Sequence, residues 1–329
     1  MRTRRAACAA LALLPAGLGA QAVTGDGAAR AVQLVVDNDL FALRGRGLPP
    51  DHDYTHGTRA TVAWAGPRRS AGARTTAPGC RSPAARRGGC RTVALTVGQE
   101  IYTPRRDAPA PVPGERPYAG WLHVTGSTTV VRLGRARALH ATVGVTGPAS
   151  LARGVQDGVH RLMHNEPQLG WAHQLGPALG VEVGYAEVRR GERSLGAAGM
   201  AAVRGRWGAS AGTLRSRLTA GADAVLGLRG TAPWSPAEPE VDRPPRASLL
   251  VGVRQDWVLH DAFVDGRGLA GRSRPGAAAR RPLVPQAEVG AAYRWRRVSV
   301  EYRHVVRGRE YHAQPAPHAF GSVRLTIVR

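Results

Sequence analysis

Lysine is absent from this 329-residue sequence, so arginine supplies all 46 basic side chains against 23 acids, for a formal net charge of +23. A bias in genome composition produces such a count, and so does selection for an anionic partner. No nucleic-acid-binding motif accompanies the charge, which turns attention to phosphates of another kind. Beyond residue 22 no stretch reaches about 18 uninterrupted apolar residues, which excludes a chain that crosses a membrane by helices. Cysteine is scarce, with three residues at positions 8, 80 and 90. No other Cys or His lies beside Cys80 and Cys90, so this pair is no metal site; the two bracket the loop CRSPAARRGGC and either pair or remain thiols.

What is present begins with an export signal. Met1–Arg5 carries three arginines, Ala6–Leu14 is apolar, and small residues lead to Ala20-Gln21-Ala22, an A-x-A cleavage pattern. Residues 1–22 are therefore expected to be removed, and an oxidising compartment is where a disulfide between Cys80 and Cys90 forms. An exported, cationic chain meets phosphate most readily on lipopolysaccharide.

Beyond the signal, short candidate strands follow one another between Gly, Pro and Arg clusters. They fall near 31–44, 53–66, 90–103, 118–133, 136–147, 177–190, 197–212, 215–230, 246–257, 284–295, 297–308 and 318–329, twelve in all. From Gly290 to Trp295 and from Val298 to His304, every second residue is apolar or aromatic over most of the run. An even number of such strands behind an export signal predicts an all-β fold, a twelve-stranded antiparallel transmembrane β-barrel in the outer membrane, with 23–329 as its single domain. A soluble periplasmic sandwich shows the same alternation and is the competing architecture. Two features fit a barrel less well: the chain ends on Leu325–Arg329 without the aromatic residue usual in bacterial barrels, and residues 67–89 and 231–245 are long for periplasmic turns.

One segment departs from the strand pattern. Leu151, Val155, Val159 and Leu162 recur at helical spacing after a capping candidate, Ser150, and before Pro167, which predicts a helix from about Leu151 to His164. It sits in a loop of about 148–175 that follows the fifth strand, and it is expected on the extracellular side. Gln156, His160 and His164 form a stripe along it, with Glu166 just beyond. Gly154 and Gly158 either let the helix approach the barrel wall or merely weaken it. Tyr118 and Trp121 read as aromatics of a membrane-interface girdle.

Five stretches recur in one order: Val36–Phe41 (VDNDLF), Asp53–Gly57 (DYTHG), Gly98–Pro104 (GQEIYTP), Arg116–Trp121 (RPYAGW), and the helix region with Gln156, His160, Asn165, Glu166 and Trp171. Together they resemble the outer-membrane lipid A 3-O-deacylase family of twelve-stranded barrels. The resemblance implies an ester hydrolase that removes the 3-O-linked acyl chain of lipid A with calcium as cofactor. It implies catalytic roles for Asn38, Asp39, Thr55, His160 and Glu166, with water activated by His160 and the metal stabilising the oxyanion.

The residues themselves agree with that chemistry. Ester hydrolysis needs a base near neutrality, which histidine supplies, and positive charge where the carbonyl oxygen becomes anionic. Asp39, Asn38 and Glu166 are oxygen ligands suited to calcium. No G-x-S-x-G elbow is present, which favours direct attack by water. His164 is the rival base on residue type alone. Gln156, Arg116 and Arg161 are candidate substrate contacts, the arginines toward glucosamine phosphates. We expect a monomer. The alternatives are a non-catalytic barrel, porin or adhesin, and an outer-membrane phospholipase.

Overall fold

The computed structural model describes residues 31–43, 52–65, 90–132, 134–196, 199–228, 247–269 and 277–328. The signal segment, Cys80 with its proposed bridge, and the long connections 67–89 and 231–245 lie outside them. Twelve strands close into one barrel: β1 (Ala31–Asn38), β2 (Asp53–Ala65), β3 (Cys90–Thr103), β4 (Ala119–Arg132), β5 (Arg135–Thr146), β6 (Leu179–Ser194), β7 (Met200–Gly212), β8 (Arg215–Leu228), β9 (Ala247–Asp261), β10 (Leu283–Trp295), β11 (Val298–Arg307) and β12 (His318–Val328). Every neighbouring pair is antiparallel, and β1 pairs with β12, from Ala31 opposite Val328 to Asn38 opposite Gly321, so no edge is left open. A spanning sheet requires that closure, because hydrocarbon offers no partner to a bare strand edge.

The period-2 pattern sorts side chains to two faces. On β3, Val93, Leu95 and Val97 point outward and are 37–49% exposed, while Thr92, Ala94 and Glu100 point into the barrel. Valines and leucines of β4, β5 and β6 continue that belt around the outer wall. The interior is polar and tightly paired. Arg204 donates to Asp223 at 2.5 Å, Arg303 to Glu301 at 2.5 Å and to Glu288 at 3.0 Å, and Arg324 to Glu301 at 3.0 Å. Charges buried in a narrow lumen need such partners.

Toward the loop end the interior becomes aromatic. The chain leaving β9 turns inward as a single helical turn, capped by Asp261, and carries Phe263 into the barrel, where it is fully buried. Phe263 stacks on Tyr102 with ring centroids 4.9 Å apart, and Arg215 lies 5.2 Å from the Trp121 ring. Tyr54, Phe320 and Leu214 complete this plug. Trp121 is thus 3% exposed and inside the lumen, and Tyr118 is 4% exposed beneath the loops, so neither belongs to a lipid-facing girdle.

The helix forms as expected, over Ala152–Met163, and is labelled α1. Two details of the expectation change. Ser150 is not its cap: its hydroxyl donates to the Gly147 carbonyl at 2.6 Å, and Leu151 takes the cap position at φ 59° without a side-chain bond. The face turned inward is also the polar one. Ala152, Gln156 and His160 are buried, whereas Leu151, Val155, Leu162 and Met163 are 37–62% exposed. The reason is location, since α1 packs on the outer wall of the barrel at the upper edge of the apolar belt. There it covers Ile101, which with Tyr118, Ala152 and Trp171 forms a small core. A helix in that position meets hydrocarbon on its far side, so its apolar stripe need not face the protein.

The close approach of helix and wall is made by a strand glycine. A Cβ on Gly120 of β4 would lie 2.2 Å from the Ala152 Cβ and 2.3 Å from Ser150 Oγ, whereas at Gly154 nothing lies within 4 Å and at Gly158 only an arginine tip does. Beside it, Gln99 of β3 donates to the Ser150 carbonyl at 2.7 Å.

Candidate active site

Between the inner face of α1 and the outer wall lies a cleft bounded by Asn38 at the end of β1 and Leu40 just after it, Thr55 and His56 on β2, and Gln156 and His160 on the helix. Ile101 and Val159 make its apolar side. Each polar member is held by a specific local device.

Asn38 ends β1 as the cap of a short 3-10 turn, Asp39–Phe41, with Oδ1 accepting from the Leu40 amide at 2.8 Å. Its Nδ2 lies 3.2 Å from His56 Nδ1 and must be the donor, so the His56 proton sits on Nε2 and is given to Thr58 Oγ1 at 2.7 Å. Asp39 is fully buried, and its Oδ2 accepts from the His52 amide at 3.2 Å.

Thr55 owes its position to an irregularity. Tyr54 pairs with Tyr102 and His56 with Ile101, so Thr55 is the extra residue of a β-bulge. A regular strand alternates faces, whereas the bulge lets Thr55 join Thr103, with hydroxyl oxygens 2.7 Å apart. Thr55 is 2% exposed and Thr103 is fully buried.

On the helix, His160 Nδ1 lies 2.6 Å from the main-chain carbonyl of Glu166. A carbonyl only accepts, so the proton resides on Nδ1 and Nε2 is the basic nitrogen. The contact is possible because His164 ends α1 in the left-handed conformation, φ 58°, which folds residues 165 and 166 back under the last turn. Asn165 N donates to the His160 carbonyl at 2.9 Å and closes that turn. Gln156 anchors the helix from the other side, its Oε1 accepting from Trp171 Nε1 at 2.9 Å. Its Nε2 is buried without a hydrogen-bond partner among the described residues and borders the cleft.

Asn38, Thr55, Gln156 and His160 therefore share one cleft, although they come from three parts of the chain. Asp39 is adjacent to Asn38 but sits behind the cleft rather than on its surface. Glu166 meets His160 through its carbonyl, and its side chain is exposed. His164 is also exposed, at the C-terminal cap of α1. Arg161 is exposed on the helix. Arg116 is placed elsewhere: it is 1% exposed, donates to Glu310 at 2.9 Å and to the Phe263 carbonyl at 3.3 Å, and lies 4.5 Å from the Tyr102 ring. That guanidinium joins the loops to the aromatic plug and offers nothing to a phosphate in the cleft. Residue type and position in a motif carry no information about such burial.

Sequence reasoning missed His56, which orients Asn38, and a cluster behind it. His52, Asp53 and His318 come close enough to share an ion, but Asp53 already accepts from Arg105 at 2.9 Å and from Tyr311 and Gln314 at 3.1 Å. A carboxylate so neutralised serves to fix the start of β2. A second cleft, among Pro104, Pro111, Tyr118 and Val264, is lined mostly by apolar groups and by the committed Arg116, and it gathers no reactive set.

A barrel with an apolar outer wall, an aromatic plug in its lumen and polar groups collected outside that wall has the form of an outer-membrane barrel of the enzymatic kind. Sequence comparison agrees: the profile of the outer membrane protein LpxR family matches residues 6–328. The chain belongs to that family, the outer-membrane lipid A 3-O-deacylases. LpxR from Salmonella typhimurium is similar in fold, with a TM-score of 0.71 at 17% identity over 91% of this chain and 100% of that one. The β domain of the Bordetella autotransporter BrkA (TM-score 0.40, 10% identity, 92% and 99% covered) shares no more than barrel character. The same holds for the translocator domain of NalP from Neisseria meningitidis (0.37, 11%, 92% and 89%). No relative is found among curated proteins.

Proposed function

We propose that this protein is a calcium-dependent hydrolase that cleaves the ester holding the 3-position acyl chain of lipid A, with His160 as the base that activates water. The observation that carries the reading is the 2.6 Å contact of His160 Nδ1 with the Glu166 carbonyl, in a cleft that also presents Asn38 and Thr55. It leaves Nε2 as the basic nitrogen, at the helix face turned to the wall.

In this reading a water molecule gives its proton to His160 Nε2 as its oxygen bonds to the ester carbonyl carbon. Collapse of the tetrahedral intermediate breaks the bond to the sugar oxygen, and the His160 proton passes to that oxygen as it leaves. The products are a carboxylic acid and a free sugar hydroxyl. Gln156 Nε2, a buried donor on the same wall of the cleft, supports the carbonyl oxygen as charge develops there. The apolar side made by Ile101 and Val159 suits an acyl chain.

The donor set near the cleft fits a hard divalent cation: the Asp39 carboxylate and the Asn38 amide are oxygen ligands, and Asp39 is fully buried beside a neutral amide donor. When bound, calcium would supply positive charge to the developing oxyanion. Glu166, with its carboxylate exposed, would join that set only by turning inward.

The test uses purified protein in nonionic detergent with lipopolysaccharide. Mass spectrometry is expected to show lipid A lighter by its 3-position acyl group when calcium is present, and unchanged when it is chelated. Activity retained in His160→Ala would remove the proposed base, and turnover of glycerophospholipid in its place would reassign the enzyme as a phospholipase.

A further inference from the structure

The cross-strand register places the outward side chains of β3–β7 in rows, and the two rows farthest from the cleft carry five arginines. One row reads Arg91, Val130, Arg137, Glu187 and Trp207 across five strands. The next, closer to the rim, reads Arg132, Arg135 and Arg189. These positions share the outer face with Leu139 and Val183, 58% and 56% exposed, so they look toward lipid and not into the lumen.

One carboxylate serves the whole cluster. Glu187 is approached by Arg189 Nε at 2.8 Å and by the Nε atoms of Arg135 and Arg137 at 3.2 Å, and it accepts from the Tyr185 hydroxyl at 2.8 Å. The three guanidiniums bury its side chain to 3% exposure while remaining 38–65% exposed themselves. Each makes its closest contact with Glu187 through Nε. A single acid does not neutralise three arginines, and with Arg91 and Arg132 in the adjacent positions the patch carries a clear positive excess.

Depth identifies the counter-charge. Arg91 and Ile101, the residue beneath α1, are ten positions apart on one strand, which is about 33 Å of chain and about 25 Å of membrane normal at the usual tilt. That is the height of the apolar band, so the arginine rows lie at the headgroup plane opposite the cleft. On the far flank the same rim carries the aromatics Tyr293 and Trp295, 53% and 58% exposed, with Arg296 lying 5.0 Å from the Trp295 ring. What sets β3–β6 apart is the convergence of three arginines on one carboxylate.

We propose that Arg135, Arg137 and Arg189 form a binding site for the phosphate of an anionic glycerophospholipid in the periplasmic leaflet, with Trp207 and Tyr185 beside the glycerol and the first acyl carbons. The leaflet assignment rests on the cleft facing the outer leaflet, where lipid A resides. Guanidinium groups bind phosphate through paired N–H donors, and a net-anionic headgroup supplies the missing negative charge.

The experiment is native mass spectrometry of the full protein in nonionic detergent with added phosphatidylglycerol, phosphatidylethanolamine, lipopolysaccharide or inorganic phosphate. Phosphatidylglycerol is expected to be retained over phosphatidylethanolamine, whose ammonium cancels its phosphate. Each arginine near an anionic lipid is worth about fivefold in affinity, so R135Q/R137Q/R189Q is expected to weaken retention on the order of 100-fold. Glu187→Gln, which removes the internal competitor, is expected to strengthen it. Barrel assembly is checked for each variant by the heat-dependent shift in gel mobility, and the single Arg189→Gln protein serves if the triple variant fails to assemble. Equal retention of phosphatidylglycerol by an assembled arginine variant and the wild type overturns the site. Displacement by millimolar inorganic phosphate overturns the lipid as its ligand, and preference for lipopolysaccharide overturns the leaflet. Lipid A deacylation in detergent is read in parallel; its absence would count against His160 and leave the phospholipid result standing.

Discussion

Substituting Gly120 by alanine tests whether the wall holds the helix where the chemistry needs it. The added Cβ would lie 2.2 Å from the Ala152 Cβ. Since carbon atoms pack no closer than about 3.5 Å, α1 must move outward by about 1.3 Å. The helix is one rigid turn-by-turn unit from Ala152 to Met163, so His160 moves with it while Asn38 and Thr55 remain on the strands. A misplacement of about 1 Å in a reacting group costs on the order of 100-fold in rate. The strand itself is undisturbed, because Gly120 points outward and a strand tolerates alanine better than glycine. Expected for Gly120→Ala is therefore a loss of roughly 100-fold in kcat on lipopolysaccharide with normal barrel assembly, and partial recovery on adding Ala152→Gly, which removes the opposing methyl. A Gly120→Ala enzyme with unchanged kcat and an assembled barrel would refute the claim that helix position controls the reaction.

Other changes probe the neighbouring supports. Gln156→Ala leaves the buried Trp171 indole N–H without its acceptor, a local cost of about 1–3 kcal/mol, and limited proteolysis should then cut more readily within 147–178. Gln156→Glu keeps the acceptor and should remain resistant. Arg116→Met strands Glu310 in the loop core and should lower thermal stability by about 3–5 kcal/mol, most of it regained in Arg116→Met/Glu310→Gln. Burial pushes the Glu310 carboxyl up, but the guanidiniums of Arg116 and Arg307 outweigh it and hold the group below its ordinary value. Its contribution is thus complete above the ordinary carboxylate range and fades only as the pH falls through the lowered value, so protease resistance of the loops at pH 7 and pH 5 should be alike. Chelation of calcium should abolish hydrolysis, and restoring the ion should recover it without refolding.

Most of the barrel is visible in the sequence because a wall with lipid on one side and a polar lumen on the other imposes a period of two over each strand. β1 is the clearest departure: it stops at Asn38, not near residue 44, because the Asn38 side chain caps the turn that follows. The helix is equally legible, but its orientation is not. An amphipathic pattern says that one face is apolar without saying whether protein or lipid covers it. Here Leu151 and Leu162 are exposed, Val155 and Val159 border the cleft, and Gln156 and His160 are buried against the wall.

The candidate site divides in the same way. Asn38, Thr55 and His160 were reached through a family resemblance, and the fold brings them to one cleft. The bulge that turns Thr55 toward it is a matter of strand register, which local sequence does not encode. Glu166 contributes a main-chain oxygen to His160, a role no side-chain motif can announce. Arg116 has the chemistry of a phosphate ligand, yet its burial against Glu310 depends on residues 194 positions away. Gly120, and neither Gly154 nor Gly158, allows the close approach, because the crowded surface belongs to the strand.

The most direct measurement is the mass of lipid A extracted from outer membranes that carry either the wild-type protein or His160→Ala at equal abundance. Our account predicts the loss of the 3-position acyl group with the wild type and intact lipid A with the variant. Identical lipid A from both, whether intact or deacylated, would contradict it.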